Sequence, residues 1–401
     1  MREIDSRYAW FRLAVCIVLS TIGGVGTWSV VVALPAVQAE FGAARGGASL
    51  PFTLTMIGFG LGGLIMGKLS DRFGIVAPVL IGAGALGAGY VAASMADSLS
   101  RFALAYGLVI GTFGSASTFV PLMADISRWF ERRRGIAIAL CASGNYVSGA
   151  FWPPVVEYLI RTVGWRMAHV WIGVACVVTM VPLALLLRAH APARAVNARP
   201  FRSRFSRVAE VSPGTLQWLL AIAGLACCVA MSMPQVHIVA YCGDLGYGVA
   251  NGARMLSLML GCGIVSRVAS GFIADRVGGL MTMAIGSAAQ LAALMLYLTS
   301  DGLVSLYVIS AMFGLFQGGL VPSYAIIIRE NYPANQAGGR VGFVIMATLL
   351  GMALGGWMSG VIFDITGSYR AAFANGVAWN ALNLAIAMFL LNRRQRVLRP
   401  A

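Results

Sequence analysis

Runs of apolar residues, each long enough to cross a bilayer and joined by short polar stretches, divide this chain from end to end, and they leave few folds open to it. Six lie near residues 12–37, 49–68, 76–95, 102–124, 135–159 and 167–187. A second six lie near 214–241, 252–273, 279–299, 303–327, 341–363 and 371–391. A helix rising 1.5 Å per residue crosses a hydrocarbon core of about 30 Å in roughly 20 residues, which these runs supply. Only 11% of the 401 residues are charged and 59% are hydrophobic, against roughly 25% charged in an ordinary soluble domain. The expected fold is therefore an all-α membrane protein, with twelve transmembrane helices in two pseudo-symmetric six-helix bundles.

The net charge of +15 raises nucleic acid as a partner, but the arginines stand at the ends of apolar runs rather than on one face. Loops rich in Lys and Arg stay cytoplasmic, so the charge reads as topology. It puts both termini inside, including the tail with Arg393, Arg394, Arg396 and Arg399. The expected location is the cytoplasmic (inner) membrane, with the lipid bilayer as partner and no nucleic acid. The arginine-rich stretch between the two sets, with a single acid at Glu210, reads as an exposed linker. This gives an N-terminal bundle over 1–187, a cytoplasmic linker over 188–213 and a C-terminal bundle over 214–401. The first apolar run exceeds a signal-peptide core and reads as a retained span. The seven cysteines are odd in number and lie mostly inside apolar runs, which argues against a disulfide framework.

The two halves share a written signature. Gly67-Lys-Leu-Ser-Asp71-Arg72-Phe-Gly74 recurs as Gly271-Phe-Ile-Ala-Asp275-Arg276-Val-Gly278, an offset of 204 residues, and Gly164-Trp-Arg166 meets Ser368-Tyr-Arg370 at the same offset. Two matches at one spacing indicate duplication. The loop needs glycine for close or left-handed backbone, and its aspartate caps a helix or pairs with arginine.

Arg267 calls for a function. It precedes Asp275 by eight residues, which places it about 12 Å inside the span. Charges at that depth face cavities and mark substrate or ion paths, and a guanidinium matches a carboxylate in bidentate geometry. The same depth arithmetic makes His237, Asn145, Tyr146, Trp28 and Gln317 candidates for lining a path, each with interhelical hydrogen bonding or packing as its ordinary alternative.

The repeated loop, the spans and the duplication resemble the major facilitator superfamily across essentially the whole chain. That resemblance implies cytoplasmic-gate roles for Asp71, Arg72, Asp275 and Arg276, although Ile75 and Val76 stand where a basic pair is usual. Pro234-Gln-Val-His237-Ile-Val-Ala-Tyr241, Ile264-Val-Ser-Arg267-Val-Ala-Ser-Gly271 and Arg128-Trp-Phe through Gly135 resemble, more narrowly, bacterial members of the monocarboxylate transporter family, related to the oxalate/formate antiporters. The resemblance implies alternating-access transport of a small organic monoacid, with Arg267 holding its carboxylate. Animal members carry a lysine and an aspartate where Trp28 and Gly263 stand, so proton symport does not carry over. The antiporters use a second cation in span eleven, yet 341–363 holds no Lys or Arg, which favours a monoanion.

Protons and a counter-transported anion both remain open as coupling partners. No Asp or Glu falls at a span centre to neutralise Arg267 in an empty carrier. Exchange is therefore expected to outpace net uptake unless His237 or another group supplies countercharge. A facilitator-fold efflux transporter for drugs or metabolites is the alternative, and a transporter-like sensor is the reading from another class. An enzyme is not expected. His169, His190 and His237 are scattered, no metal-ligand spacing occurs, and no cofactor is implied.

Overall fold

The structure is a computed structural model that describes residues 4–189 and 211–398. Residues 190–210, most of the expected linker, lie outside the described residues. The helices are α1 (Arg7–Gly23), α2 (Val25–Phe41), α3 (Arg45–Phe73), α4 (Val76–Ser94), α5 (Leu99–Leu104), α6 (Val120–Trp129) and α7 (Arg134–Leu186). They continue as α8 (Pro213–Asp244), α9 (Val249–Val277), α10 (Gly279–Thr299), α11 (Leu303–Gln317), α12 (Leu320–Asn331), α13 (Ala334–Thr366) and α14 (Tyr369–Leu398). Between α5 and α6 the chain winds through a π-helix, Ala105–Gly114, and a 3-10 turn, Ser115–Thr118.

Among the described residues, eleven helical stretches are long and apolar enough to cross a membrane. The apolar runs 135–159 and 167–187 fall together in the 53-residue α7, whose backbone leaves helical geometry at Gly164, with φ 76° and ψ 157°. A side chain is strained at that φ, so glycine sets the break. Gly74 and Gly278, the closing residues of the repeated loop, also take positive φ, 78° and 85°. The glycine requirement read from the motif thus has a backbone cause at the same place in both copies.

The helices fall into two compact units. Unit 1 comprises Met1–Val196 and Val236–Leu260, and unit 2 comprises Asn197–Gln235 and Gly261–Ala401. Covalent order and packing therefore diverge in α8 and α9, each of which contributes to both units. In unit 1, α7 packs on α1, α2 and α4, and α3 packs on the π-helix. In unit 2, α10 packs on α11, α12 and α14, and α13 packs on α12 and α14. Large apolar side chains such as Leu64, Phe151, Trp171, Val178, Trp218 and Phe272 are exposed, as suits a surface that meets lipid rather than water.

The contact between α3 and the π-helix depends on bare backbone. A Cβ on Gly62 would overlap the carbonyl oxygen of Thr112, and one on Gly58 the carbonyl oxygen of Gly107. Small residues four apart let backbones approach this closely in membranes. Gly62→Leu is therefore expected to cost at least about 1–3 kcal/mol, the usual range for overpacking. Gly84→Ala, at a glycine with nothing within 4 Å, serves as a neutral control. Melting curves in detergent, followed by size-exclusion recovery, separate the two.

Candidate functional site

In unit 2, Arg267 on α9 is half-buried, and its Nε donates to the carbonyl of Gly318 at 3.5 Å. The sequence explains why that carbonyl is available. Pro322 stands four residues after Gly318, at the position whose N–H would bond the Gly318 carbonyl in a continuous helix, and proline has no N–H. The chain accordingly breaks at Gly318 and Gly319, between α11 and α12. Gly318 also packs directly on Gly263, Ser266 and Arg267, so the absence of a side chain at 318 lets the broken helix approach α9.

Gln317, the residue before Gly318, is fully buried and accepts at Oε1 from Gln235 Nε2 at 2.7 Å. Ser232, one turn earlier on α8, donates to the Met352 carbonyl at 2.8 Å. Farther along α12, Tyr324 donates to Asn383 Oδ1 at 2.9 Å, Asn383 donates to Ser287 Oγ at 3.0 Å, and Asn380 donates to the Ser287 carbonyl at 2.8 Å. All four residues are buried, and together they tie α10, α12 and α14. Of the sequence candidates, unit 2 thus holds Arg267 and Gln317.

Unit 1 holds Trp28, Asn145, Tyr146 and His237. The Trp28 indole N–H donates to the Asn145 carbonyl at 3.3 Å, and the ring lies over Gly149, where a Cβ would collide with it. Tyr146 and His237 are buried, and Asn145 is half-buried. Next to Trp28, Ser29 enters a buried network. Its hydroxyl lies 2.7 Å from Tyr90 and 3.1 Å from Tyr106, and Tyr106 lies 2.6 Å from His169 Nε2. His169 Nδ1 lies 2.6 Å from the Trp165 carbonyl, which can only accept, so Nδ1 carries the proton. A neutral ring then accepts at Nε2 from the Tyr106 hydroxyl. Tyr106 therefore accepts from Ser29, and Ser29 from Tyr90. The network fixes the register of α2 against α4, α7 and the π-helix that carries Tyr106. Sequence reasoning had only scattered histidines to work with, and no spacing signal links residues so far apart.

Several of the remaining charges pair within their own unit. Arg12 and Asp125 form a buried two-point ion pair, Nε to Oδ2 at 2.7 Å and Nη2 to Oδ1 at 3.0 Å, under the Trp129 ring. Arg45 Nη2 bonds both carboxylate oxygens of Asp244, at 3.1 and 2.9 Å, beside a cavity of about 410 Å³ also lined by Pro35, Gln38 and Ala240. In the repeated Gly-Trp-Arg, Arg166 grips Glu40 and the carbonyls of Ser94 and Ala96 at the end of α4, while its counterpart Arg370 pairs with Asp301 after α10. Of the expected gate residues, Asp71 pairs with Arg128 at 2.6 Å with both side chains exposed, and Arg72 lies over the Phe73 ring. Asp275 and Arg276 are exposed. Among the described residues no group of His, Cys, Asp and Glu is arranged to hold a metal.

A model of the Major Facilitator Superfamily matches residues 16–310 and 271–400. The chain is similar to Monocarboxylate transporter 13 of Rattus norvegicus, 29% identical over 337 residues that span 81% of this chain and 74% of that one. It is 30% identical to Monocarboxylate transporter 13 of Bos taurus over 313 residues, 76% of this chain and 71% of that one. With Monocarboxylate transporter 11 of Mus musculus it shares 30% identity over 325 residues, 76% and 70% of the respective chains. Among solved structures, a bacterial homologue of the human lysosomal transporter Spinster superposes with a TM-score of 0.71 over 99% of this chain and 100% of its own, at 14% identity.

Proposed function

We propose that this chain, which belongs to the major facilitator superfamily and is a transporter related to the monocarboxylate transporters, carries small organic monocarboxylates by alternating access, with Arg267 holding the substrate carboxylate. The observation that carries the reading is the guanidinium itself. It lies deep in a helix of unit 2, and it is steadied through Nε by the one carbonyl that Pro322 leaves without a helical donor. A guanidinium matches a carboxylate in two-point geometry, and a charge deep in a spanning helix marks a substrate path.

Counting α7 as two spans meeting at Gly164 gives twelve, in covalent halves 1–187 and 214–401 joined by 188–213, in the cytoplasmic membrane with both termini on its cytoplasmic side. Gln317 joins Arg267 as a substrate residue in unit 2, and Trp28, Asn145, Tyr146 and His237 are the path residues of unit 1. Asp71, Arg72, Asp275 and Arg276 serve the cytoplasmic gate, for which the exposed Asp71–Arg128 pair is an easily broken element. Protons or a counter-transported anion complete the cycle.

The test is uptake of radiolabelled pyruvate, lactate, oxalate and succinate into proteoliposomes, with and without an imposed pH gradient. Saturable uptake of the monoacids and none of the diacids is the expected result, and the response to the gradient assigns the coupling. Uptake of the diacids, or of no acid at all, overturns the reading.

A further inference from the structure

The residues ahead of α1 are stapled to the turn that leads into α7. The Asp5 N–H donates to the Trp129 carbonyl at 3.0 Å, and the Asp5 carboxylate accepts from the backbone N–H groups of Glu131 and Arg132, at 3.4 and 3.1 Å. Ser6 is the N-cap of α1 and Arg133 that of α7, so the two helices begin side by side and pack along each other from there. Three arginines gather at this joint start. Arg7, Arg132 and Arg133 are exposed and have no carboxylate partner among the described residues, whereas Arg12 and Arg128 in the same unit each have one. Arg133 lies over the half-buried Trp10 ring at 5.9 Å, and Phe130 braces that ring edge-on at 5.0 Å. Of the acids here, Asp5 already serves backbone donors, so the arginines prevail over Glu131.

The neighbours of the arginines distinguish a lipid from a soluble anion. Phe11, one turn after Arg7 on the same face, is exposed, as is Val18 farther along α1, and Ile136 is exposed in the first turn of α7. Guanidinium groups at the ends of two spanning helices, a tryptophan beside them and bare apolar side chains a turn deeper follow the profile of a bilayer from headgroup to acyl chain. A soluble anion would use the cations and leave Phe11 and Ile136 uncovered. We propose that the joint start of α1 and α7 is a binding site for an anionic glycerophospholipid. Arg7, Arg132 and Arg133 hold its phosphate, for which guanidinium geometry is suited, and its chains lie along Phe11, Val18 and Ile136. A zwitterionic lipid brings its own cation to the same place and gains less. Because the lipid touches both helices, its binding stabilises unit 1. The site involves none of the residues assigned to the substrate path, and it stands or falls apart from Arg267.

Trp10 reports occupancy, because bromine on an acyl chain quenches indole fluorescence at contact. The full chain in detergent is titrated with phosphatidylglycerol or phosphatidylcholine, each brominated on its chains, and the Trp10 signal is the difference from Trp10→Phe. The wild type is expected to bind phosphatidylglycerol at least about tenfold more tightly, since each arginine near the headgroups contributes about fivefold. Its melting temperature should rise by about 4 °C or more with phosphatidylglycerol and stay unchanged with phosphatidylcholine. Arg7→Gln combined with Arg133→Gln is expected to bring the two lipids within about twofold of each other, and either change alone to remove about fivefold. Arg101→Gln combined with Arg161→Gln takes two exposed arginines from elsewhere in unit 1 and should keep the tenfold preference. Equal affinity of the wild type for both lipids overturns the proposal. So does an equal loss in the two double variants, which marks a diffuse effect of net charge. Displacement of the brominated lipid by inorganic phosphate alone gives the arginines to a soluble anion and overturns it as well.

Discussion

Arg267→Ala is expected to lower Vmax/KM for a monocarboxylate by at least about a hundredfold while leaving the protein folded. Truncating one partner of a hydrogen-bonded charge pair in a desolvated site costs about 2–5 kcal/mol, and each 1.4 kcal/mol is about tenfold. Folding should tolerate the change, because removing a half-buried guanidinium takes a charge out of the bilayer. Arg267→Lys keeps the charge without the planar fork or the Nε donor, so an intermediate loss of about tenfold is expected. Pro322→Ala probes the same anchor from the other side. It supplies the N–H that α12 lacks, lets the Gly318 carbonyl bond within its own helix, and should raise KM without touching the arginine. Uptake by the three variants, matched for incorporated and monodisperse protein, measures these effects. Normal transport by Arg267→Ala would remove the carboxylate role altogether.

The parts of this architecture that were legible in the sequence are those written locally. A run of about 20 apolar residues means a spanning helix wherever it lies, and a glycine that must take positive φ marks a turn whatever surrounds it. The repeated loop therefore ends at Gly74 and Gly278 with matching backbone, and Gly-Trp-Arg marks the break in α7. Face was not legible. Gln317 and Gln235 lie 82 positions apart and Tyr106 and His169 lie 63 apart, and nothing in either neighbourhood announces the other. The π-helix at Ala105–Gly114 escaped for a related reason, since it packs on α3, which lies far from it in sequence. Packing also cut across covalent order. The segment Val236–Leu260 groups with the N-terminal helices, so His237 and Arg267, 30 residues apart in sequence, fall in different units.

Asp125→Ala should be the most destabilising substitution in unit 1. Arg12 is 1% exposed and Asp125 7%, and they meet through two hydrogen bonds. Such a pair contributes little net stability against apolar residues of the same size, because both charges had to leave water. Removing one partner is different, since it strands the other charge where neither water nor lipid can solvate it, at about 3–5 kcal/mol. Trp129, over which the guanidinium lies at 4.8 Å, offers only partial compensation. For a unit of this size that corresponds to a fall in melting temperature on the order of 10 °C. Cys16 and Cys141 are buried in unit 1 and free, so a thiol-reactive dye reports the opening directly as temperature rises. Arg12→Met combined with Asp125→Leu should recover most of the loss, because the double change removes both buried charges and keeps the volume. If the double variant melts as low as Asp125→Ala, the pair is a required feature of the folded unit and not a compensated burial. If Asp125→Ala melts like the wild type, Arg12 finds another partner, and the Ala189 carbonyl that it already reaches at 3.2 Å is the first place to look.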